Sequence, residues 1–243
     1  MVKISIIGKT LKKVDSIKEL LPKYNLEYSD ENPDIVISSG GDGMFLISER
    51  VYPGVPKVLL RDSKICNNCP TIDNETILER LASKNYKIRE IKKIKAVRSA
   101  PNINQNSNQE LTRELIGVND IVIRNFLPTE ALRFKYRVND EEHTEELIGD
   151  GVVIATSFGS NKGAYFHSIT RARLNSGVGI AFNNTTTHQG NKIHTHDDTI
   201  EILITRGQGV LVADNNRDYI YLEKGDKVIV TTHNASANLV EFD

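Results

Sequence analysis

The period of the apolar residues divides the chain into two parts. In residues 1–85, amphipathic stretches alternate with short apolar runs, which are VKISIIG, DIVIS and PKVLL. The runs predict buried strands, and the stretches between them predict helices. Strands that alternate with helices indicate an α/β layer with a largely parallel sheet. The first part is therefore predicted to be an α/β domain.

The predicted helices have recognisable ends. The first places four apolar residues on one face, Val14, Ile17, Leu20 and Leu21. The second, MFLISERVY, begins directly after a cluster of glycines. The third, NETILERLASKN, is predicted to have Asn74 as its N-cap, because a short polar side chain there accepts a hydrogen bond from a free backbone N–H.

From about residue 86 the period of the apolar residues shortens to that of strands. Short polar turns join segments that alternate in character: YKIREIKKIKAV, GVNDIVIRN, LRFKYRVND, TEELIGDGVVIAT, IEILITRGQGVLVAD, DYIYLEKGDKVIVT and NLVEFD. Asn139 and Asp140 stand where a hairpin needs turn formers. The polar stretch 101–109 predicts an exposed loop between two strands. The second part is therefore predicted to be a β-sandwich, with the domains spanning 1–95 and 96–243.

Composition and charge limit the kinds of partner and the cellular location that we expect. The 243 residues carry a formal net charge of −1, which gives no reason to expect nucleic acid or an acidic membrane as a partner. The apolar start of MVKISIIGKT is too short for a signal peptide, and no run approaches the roughly 18 residues that cross a bilayer. We therefore expect no membrane contact and a cytoplasmic protein.

Clusters of charge and histidine have ordinary explanations. The lysines of 84–98 alternate with isoleucines, which favours the solvated face of a strand over an anion site. An acidic cluster flanks the predicted hairpin and is explained by solvation; it comprises Glu141, Glu142, Glu145 and Glu146. His194 and His196 lie two apart and precede two aspartates, and a solvated β-turn is favoured over a metal site.

The cysteines form one CxxC motif, Cys66 and Cys69, followed by Pro70. One such pair cannot complete a structural zinc site, because zinc takes four ligands. A thioredoxin-like role needs the motif at a strand-to-helix junction. The sequence favours a surface loop with a local disulfide, and a redox or metal role stays open.

The stretch DIVISSGGDGMFLIS combines an apolar run, a glycine-rich turn and the start of a helix. A turn of this kind at the carboxyl end of a strand lies where open α/β sheets bind ligands. Gly40, Gly41 and Gly43 permit positive φ and close approach of an anion, and the following helix offers free N–H groups. A carboxylate repels phosphate, so Asp42 needs its own explanation. It holds Mg²⁺, accepts a proton from an attacking hydroxyl, or caps the helix.

Two later segments give this turn a context. VNDIVIRN follows it, and then GDGVVIATSFGSNKGAYFHS at 149–168. In order and spacing, these three motifs resemble those of the NAD kinase family. GIAFNNTTTH and VLVADNN…LEKGDKVIV are similar to later parts of that family. The resemblance covers nearly the whole chain and is strongest from 117 to 168.

The resemblance implies a fold and a reaction. It implies an N-terminal Rossmann-like α/β domain, a C-terminal β-sandwich and assembly as a homodimer or homotetramer. The implied enzyme transfers a phosphoryl group from ATP or polyphosphate, with Mg²⁺, to the 2′-hydroxyl of the adenosine ribose of NAD. Its partners would be small nucleotides. The donor and the choice between NAD and NADH stay open.

The resemblance also implies roles for single residues. Asp42 would be the catalytic base, with Gly40, Gly41 and Gly43 around the phosphates. Asn119 and Asp120 would grip the adenosine. No metal ligand is assigned in the chain.

Further residues would contact the rest of the dinucleotide. Asp150 would contact the nicotinamide ribose or amide. Tyr165 would pack on the nucleotide, with Ala164 and Ser168 leaving room for the adenine. Asp214 resembles an aspartate that reaches across a subunit interface.

Several positions depart from the family pattern. Met44 replaces a threonine after the glycine turn, and RDSKICNNCP replaces a glycine- and phenylalanine-bearing loop. The loop 157–163 lacks a proline and gains Asn161 and Lys162. Lys162 is a surface charge or a phosphate contact, and His167 lies within the nucleotide loop.

Other functions therefore stay open. A catalytically silent, regulatory dinucleotide-binding paralogue would explain the altered loops. Lipid and sugar kinases also carry GGDG, but lipid kinases place an Asn-Glu pair directly after it, and MFLISE has none.

Overall fold

The computed structural model describes residues 1–100, 113–161, 164–187, 190 and 192–243. These residues divide into two compact units. Unit 1 comprises Met1–Ile91 and Ala235–Asp243, and unit 2 comprises Lys92–Asn234.

Unit 1 contains the helices expected from the amphipathic stretches, with strands between them. Numbered along the whole chain, its strands are β1 (Val2–Gly8), β2 (Leu26–Tyr28), β3 (Ile35–Gly40), β4 (Lys57–Arg61), β5 (Lys87–Ile91) and β18 (Ala237–Glu241). Its helices are α1 (Leu11–Lys18), α2 (Asp42–Val51), α3 (Asn74–Ala82) and a 3-10 turn at Leu21–Tyr24.

The sheet of unit 1 has the order β2-β1-β3-β4-β18-β5 and is parallel from β2 to β18. Every residue of β3 is buried, which explains why DIVIS reads as a continuous apolar run. On one face Ser38 donates a hydrogen bond to Ser48 of α2 at 2.7 Å. On the other, Ile37 shares a core with Leu78 of α3. The predicted α/β domain is confirmed.

The bounds of the two units differ from the predicted domain boundary between residues 95 and 96. YKIREIKKIKAV forms two strands in different units, and the unit boundary follows Ile91. The closing strand β18 returns to unit 1, where Leu239 pairs with Lys57 of β4. Alternating residues predict that a segment is a strand, but they do not say which sheet it joins.

Unit 2 is built from strands and one short described helix, α4 (Tyr165–Thr170). One sheet has the order β10-β9-β14-β17-β6-β7, and a second has the order β13-β12-β11-β8-β15-β16. The strands of the first are β6 (Ile94–Ser99), β7 (Glu114–Gly117), β9 (Leu132–Val138), β10 (Glu141–Gly149), β14 (Ile200–Arg206) and β17 (Lys227–Thr232). Those of the second are β8 (Asp120–Asn125), β11 (Gly151–Thr156), β12 (Val178–Asn183), β13 (Lys192–His194), β15 (Gly209–Ala213) and β16 (Ile220–Leu222).

One apolar core joins the two sheets of unit 2. Phe134 and Ile202 of the first sheet lie in the same cluster as Ile123 and Ile154 of the second, and all four are fully buried. Two sheets that share their inner faces in this way form a sandwich. The predicted β-sandwich is confirmed.

Details of the prediction are confirmed or corrected by this fold. Asn139 and Asp140 form the turn between β9 and β10, with Asn139 at a φ of +51°. The N-cap of α3 is Asp73, whose carboxylate accepts from Thr76 N at 2.9 Å, so the assignment to Asn74 was wrong. Lys93 is 3% exposed, an exception to the predicted solvated face. The predicted loop 101–109 lies outside the described residues.

Candidate functional site

The GGDG turn joins β3 to α2 in unit 1. The strand ends at Gly40, Gly41 is the N-cap, and Asp42 is the first helical residue. The Asp42 side chain is half-buried and does not cap α2, so the capping interpretation was wrong. Its carboxylate instead accepts hydrogen bonds from a loop that follows β4.

That loop binds both carboxylate oxygens of Asp42. Asn67 N donates to Oδ2 at 2.8 Å. Asn68 donates to Oδ1 twice, through its backbone N at 3.1 Å and its side-chain Nδ2 at 2.9 Å. Hydrogen bonds to an ionised carboxylate are stronger than neutral ones. The loop therefore holds this carboxylate in one orientation.

The loop is closed by a disulfide between Cys66 and Cys69, as the sequence favoured. Both cysteines are largely buried, whereas Asn67 between them is exposed. Arg61 Nη2 donates to Cys66 O at 3.3 Å, and Asp62 N donates to Gly40 O at 2.9 Å. The loop is thus attached to the ends of both β3 and β4.

The glycines of the turn serve close packing. Gly40, Gly41 and Gly43 all lack positive φ, so that part of the expectation was wrong. A Cβ on Gly41 would lie 2.9 Å from the backbone oxygen of Ile65, which only glycine permits without displacement. Gly41 therefore admits the disulfide loop, and a phosphate-binding role for the turn stays a prediction.

Met44 has a packing role in the same turn. Its side chain is 7% exposed, and its Cβ would lie 3.0 Å from a Cβ added to Gly40. The residue that replaces the family's threonine is therefore part of the core beneath the turn.

In unit 2, Asp214 brings three backbone amides together. Its carboxylate accepts from Val118 N at 2.9 Å, Asn119 N at 2.7 Å and Asp120 N at 3.1 Å. The structure thus places Asp214 beside Asn119 and Asp120, about 95 residues away in sequence. Both of its oxygens are engaged within the chain, and its role at a subunit interface stays a prediction.

Asp120 is a buried carboxyl beside this charge. Its residue is 3% exposed, whereas Asn119 is half-buried. Burial, and to a smaller degree the charge of Asp214, raise the pKa of Asp120 from its ordinary value of 3.8 to about 7. Strongly shifted carboxyls concentrate at functional sites, which agrees with a role for this pair.

The raised pKa of Asp120 predicts a pH-dependent stability. Between pH 4 and 7 the folded chain keeps a proton that the unfolded chain has lost, so the unfolding free energy falls as pH rises through this window. The expected slope is on the order of 1 kcal/mol per pH unit. Urea unfolding of the wild type and Asp120→Asn at pH 5, 6 and 7 measures it. Equal pH dependence of the two proteins would contradict the burial argument.

A turn after β11 completes the cluster around Asn119. Thr156 is fully buried, and its Oγ1 donates to Val118 O at 2.6 Å and accepts from Gly159 N at 3.0 Å. Ser160 Oγ, also buried, accepts from Leu174 N at 2.8 Å. These supporting residues were missed from the sequence, although the TSFGS segment contains them.

Gly159 is required by the backbone at this turn. A Cβ there would lie 1.9 Å from Asn119 O, which belongs to the backbone and cannot turn aside. Gly159→Ala is expected to lower the unfolding free energy by about 1–3 kcal/mol or more. Gly190→Ala is the matched control, because nothing lies within 4 Å of its added Cβ. Equal stability of the two variants in urea would contradict the close approach.

The helix α4 presents the predicted aromatic residue. Ala164 is its N-cap, and Tyr165 at its start is 54% exposed. Ser168 Oγ donates to Tyr165 O at 2.7 Å. Phe166 faces the opposite way and packs on Gly179 of β12. Tyr165 is therefore available for stacking, while its neighbour anchors the helix.

The sequence also singled out His167 and Lys162 in this segment. His167 Nδ1 lies 3.0 Å from Ala172 O and so contacts the chain's own backbone. Lys162 lies outside the described residues.

Asp150 lies at the other end of the second sheet. It precedes β11, and its Oδ2 accepts from Asn184 Nδ2 at 3.3 Å. The Asn119 and Asp120 pair adjoins the far end of β11, where Ala155 pairs with Asp120. The intervening strand separates the two places by about 17 Å. The structure therefore does not bring Asp150 together with Asn119 and Asp120 of its own chain.

Comparisons with known proteins bear on the fold. The chain is similar to an NAD kinase from Archaeoglobus fulgidus solved with ATP, at a TM-score of 0.78 and 15% identity, covering 100% of this chain and 94% of that one. It is also similar to yeast NADH kinase solved with NADH, at a TM-score of 0.82 and 15% identity, covering 100% and 84%. The chain has the NAD kinase fold. The sequence matches no protein-family model and no curated protein sequence.

The NAD kinase fold here carries no preformed metal cage in its described part. Across those residues, no group of three or more His, Cys, Asp or Glu side chains is placed to hold a metal ion. Asp198 Oδ2 lies 3.5 Å from His194 Nδ1 and accepts from Thr195 N at 2.9 Å, which closes a turn. Burial, with a smaller effect of Lys92, lowers the pKa of His196.

The helices of this fold also bear on membrane contact. Within the described ranges, no helix has both the length and the apolar character needed to cross a membrane.

Proposed function

We propose that the chain is an NAD kinase that transfers a phosphoryl group from ATP or polyphosphate to the 2′-hydroxyl of the adenosine ribose of NAD. The observation that carries the proposal is the position of Asp42. It is a half-buried carboxylate on the first residue of α2, two residues after the end of β3, in a chain with the NAD kinase fold. The carboxyl ends of strands are where α/β sheets bind their ligands.

In the proposed reaction Asp42 accepts the proton of the ribose hydroxyl. An alcohol is a weak nucleophile, and a positioned carboxylate can remove its proton as the phosphoryl group moves. The two oxygens of a carboxylate offer about four lone pairs, of which Asn67 and Asn68 use three. The remaining lone pair, on Oδ2, is available to the substrate.

In this proposal, the negative charge of the donor phosphates is largely neutralised by the Mg²⁺ that is bound to ATP. Mg²⁺ enters as part of the magnesium complex of ATP, because the cation is held largely by phosphate oxygens and water. The positive end of the α2 dipole, beside Gly40, Gly41 and Gly43, would face an anion favourably. Much of the rate enhancement then comes from positioning the donor in line with the hydroxyl.

Residues of unit 2 are proposed to bind the dinucleotide. Asn119, whose backbone Asp214 holds in place, would hydrogen-bond the adenine or ribose. The exposed ring of Tyr165 would stack on the nucleotide, with Ala164 and Ser168 beside it. Base stacking on an aromatic side chain contributes about 1–3 kcal/mol.

Other assignments belong to the same proposal. Asp120 would support Asn119 at the adenosine, and Asp150 would contact the nicotinamide end. We further propose a cytoplasmic enzyme that assembles as a homodimer or homotetramer.

The function is tested by incubating the protein with NAD, Mg²⁺ and either ATP or polyphosphate. A dehydrogenase specific for NADP reports the product. We expect NADP with at least one donor, and the same assay with NADH defines the acceptor. Absence of NADPH and of NADP with every donor would refute the proposal.

One observation favours a second candidate, a dinucleotide-binding protein without catalysis. The Asp42 carboxylate is already bound by Asn67 and Asn68. Calorimetric titration with NAD separates the two, since binding without any NADP formation supports the second candidate.

A further inference from the structure

The loop that binds Asp42 is a ring closed by the disulfide. Cys66 and Cys69 flank the two asparagines, and their Cα atoms are 5.5 Å apart. Each backbone residue fixed in one conformation costs about 1–2 kcal/mol of entropy, and a covalent ring removes part of that freedom beforehand. The disulfide therefore favours the conformation in which both backbone N–H groups face Asp42.

The ring is also seated against the turn itself. The Sγ of Cys66 lies 3.7 Å from Asp42 Oδ1, and the Sγ of Cys69 lies 3.9 Å from Gly40 O. Ile65, which precedes Cys66, places its backbone oxygen close to Gly41 as well. Breaking the disulfide would therefore alter the immediate surroundings of the Asp42 carboxylate.

We propose that the disulfide loop is a redox-responsive clamp that positions Asp42, with Asn68 as the main positioning residue. The effect on turnover rests on the proposed function; the clamp itself does not. Asn68 supplies two of the three donors, one of them through its side chain. The clamp orients the carboxylate so that its remaining lone pair on Oδ2 meets the substrate hydroxyl.

Reduction opens the clamp. A dithiol reductant gives two electrons and two protons, the bond between Cys66 and Cys69 breaks, and two thiols form. The reductant closes its own disulfide in the exchange. The loop then regains rotational freedom, and the carboxylate loses its fixed orientation. Misplacement of a catalytic group lowers the rate of the chemical step more than it lowers the affinity for the substrate.

The clamp is tested first without any reaction. Amide hydrogen exchange of Asn67 and Asn68 is followed by NMR in the oxidised protein and after dithiothreitol. We expect exchange to be at least about 10-fold faster after reduction. Asp42→Ala should show the fast exchange in both states. Equal exchange in the oxidised and reduced wild type would overturn the proposal.

Turnover then tests the positioning role. We expect reduction to lower kcat by about 10-fold while KM for NAD changes less than about two-fold. Asn68→Ala should lower kcat similarly in the oxidised protein, and the double variant Cys66→Ser with Cys69→Ser should be insensitive to the reductant. Asn85→Ala, an exposed asparagine of the same unit, is the matched control.

The outcomes separate the clamp from the function. An unchanged or higher kcat after reduction would overturn the positioning role. A wild-type protein that makes no NADP, but whose Asn67 and Asn68 amides follow the redox state, would refute the proposed function and support the clamp.

Discussion

Asp42→Asn is expected to lower kcat for NADP formation by about 100-fold or more, the effect of removing a general base. The amide has the shape of the carboxylate but cannot take the ribose proton at neutral pH. It also disturbs the loop, because its NH₂ group must face one of the donors from Asn67 or Asn68. The nucleotide-binding residues proposed in unit 2 are untouched. We therefore expect the Kd for NAD to change little.

The measurement combines NADP formation with calorimetric titration of NAD. Asp15→Asn is the matched control, since Asp15 is an exposed carboxylate on α1 of the same unit. A kcat for Asp42→Asn within about threefold of the wild type would exclude the base role. A loss of NAD binding in that variant would instead assign Asp42 to substrate binding.

Lys57→Met is expected to lower the unfolding free energy by about 3–5 kcal/mol. Lys57 is fully buried at the start of β4, and its Nζ is paired with the carboxylate of Glu49 in α2. Glu49 is 4% exposed, and its other oxygen accepts from Gly54 N at 3.1 Å. Methionine fills the volume of the lysine but leaves the charge of Glu49 buried without the ammonium group that neutralises it.

The variant that removes both charges is the decisive control. Lys57→Met combined with Glu49→Leu should recover most of the lost stability, because well-packed apolar residues can replace a buried ion pair. Urea unfolding of the wild type, the single variant and the double variant measures this. A double variant no more stable than Lys57→Met would show that the pair contributes through its other hydrogen bonds. The pair joins β4 to α2, the helix that begins at Asp42.

The elements near the GGDG turn were largely predictable from the sequence. The apolar run of β3 and the helix after it follow from periodicity, because both faces of that strand are buried. The hairpin at Asn139 follows from turn chemistry. The short strands β2, β7 and β13 and the helix α4 were not predicted, since a few residues carry too little period to be distinguished from loops. The six-residue strand β12 was not predicted either.

Partnerships between strands were decided by the tertiary structure. IEILITRGQGVLVAD is a single strand-like segment in the sequence. The structure instead places β14 and β15 in different sheets of the sandwich. The closing strand likewise crosses back to unit 1. A period of two reports which side chains share a face, and it contains no information about the neighbouring strand.

Some features of the candidate site were likewise predicted from the sequence, and others were shown only by the tertiary structure. The sequence by itself determined that a carboxylate stands in a glycine turn between a buried strand and a helix. It also favoured a disulfide between Cys66 and Cys69. Only the tertiary structure showed that the disulfide loop binds Asp42, and that Asp214 holds the turn at Asn119. Both contacts use backbone N–H groups, which every residue except proline carries, so residue type does not reveal them.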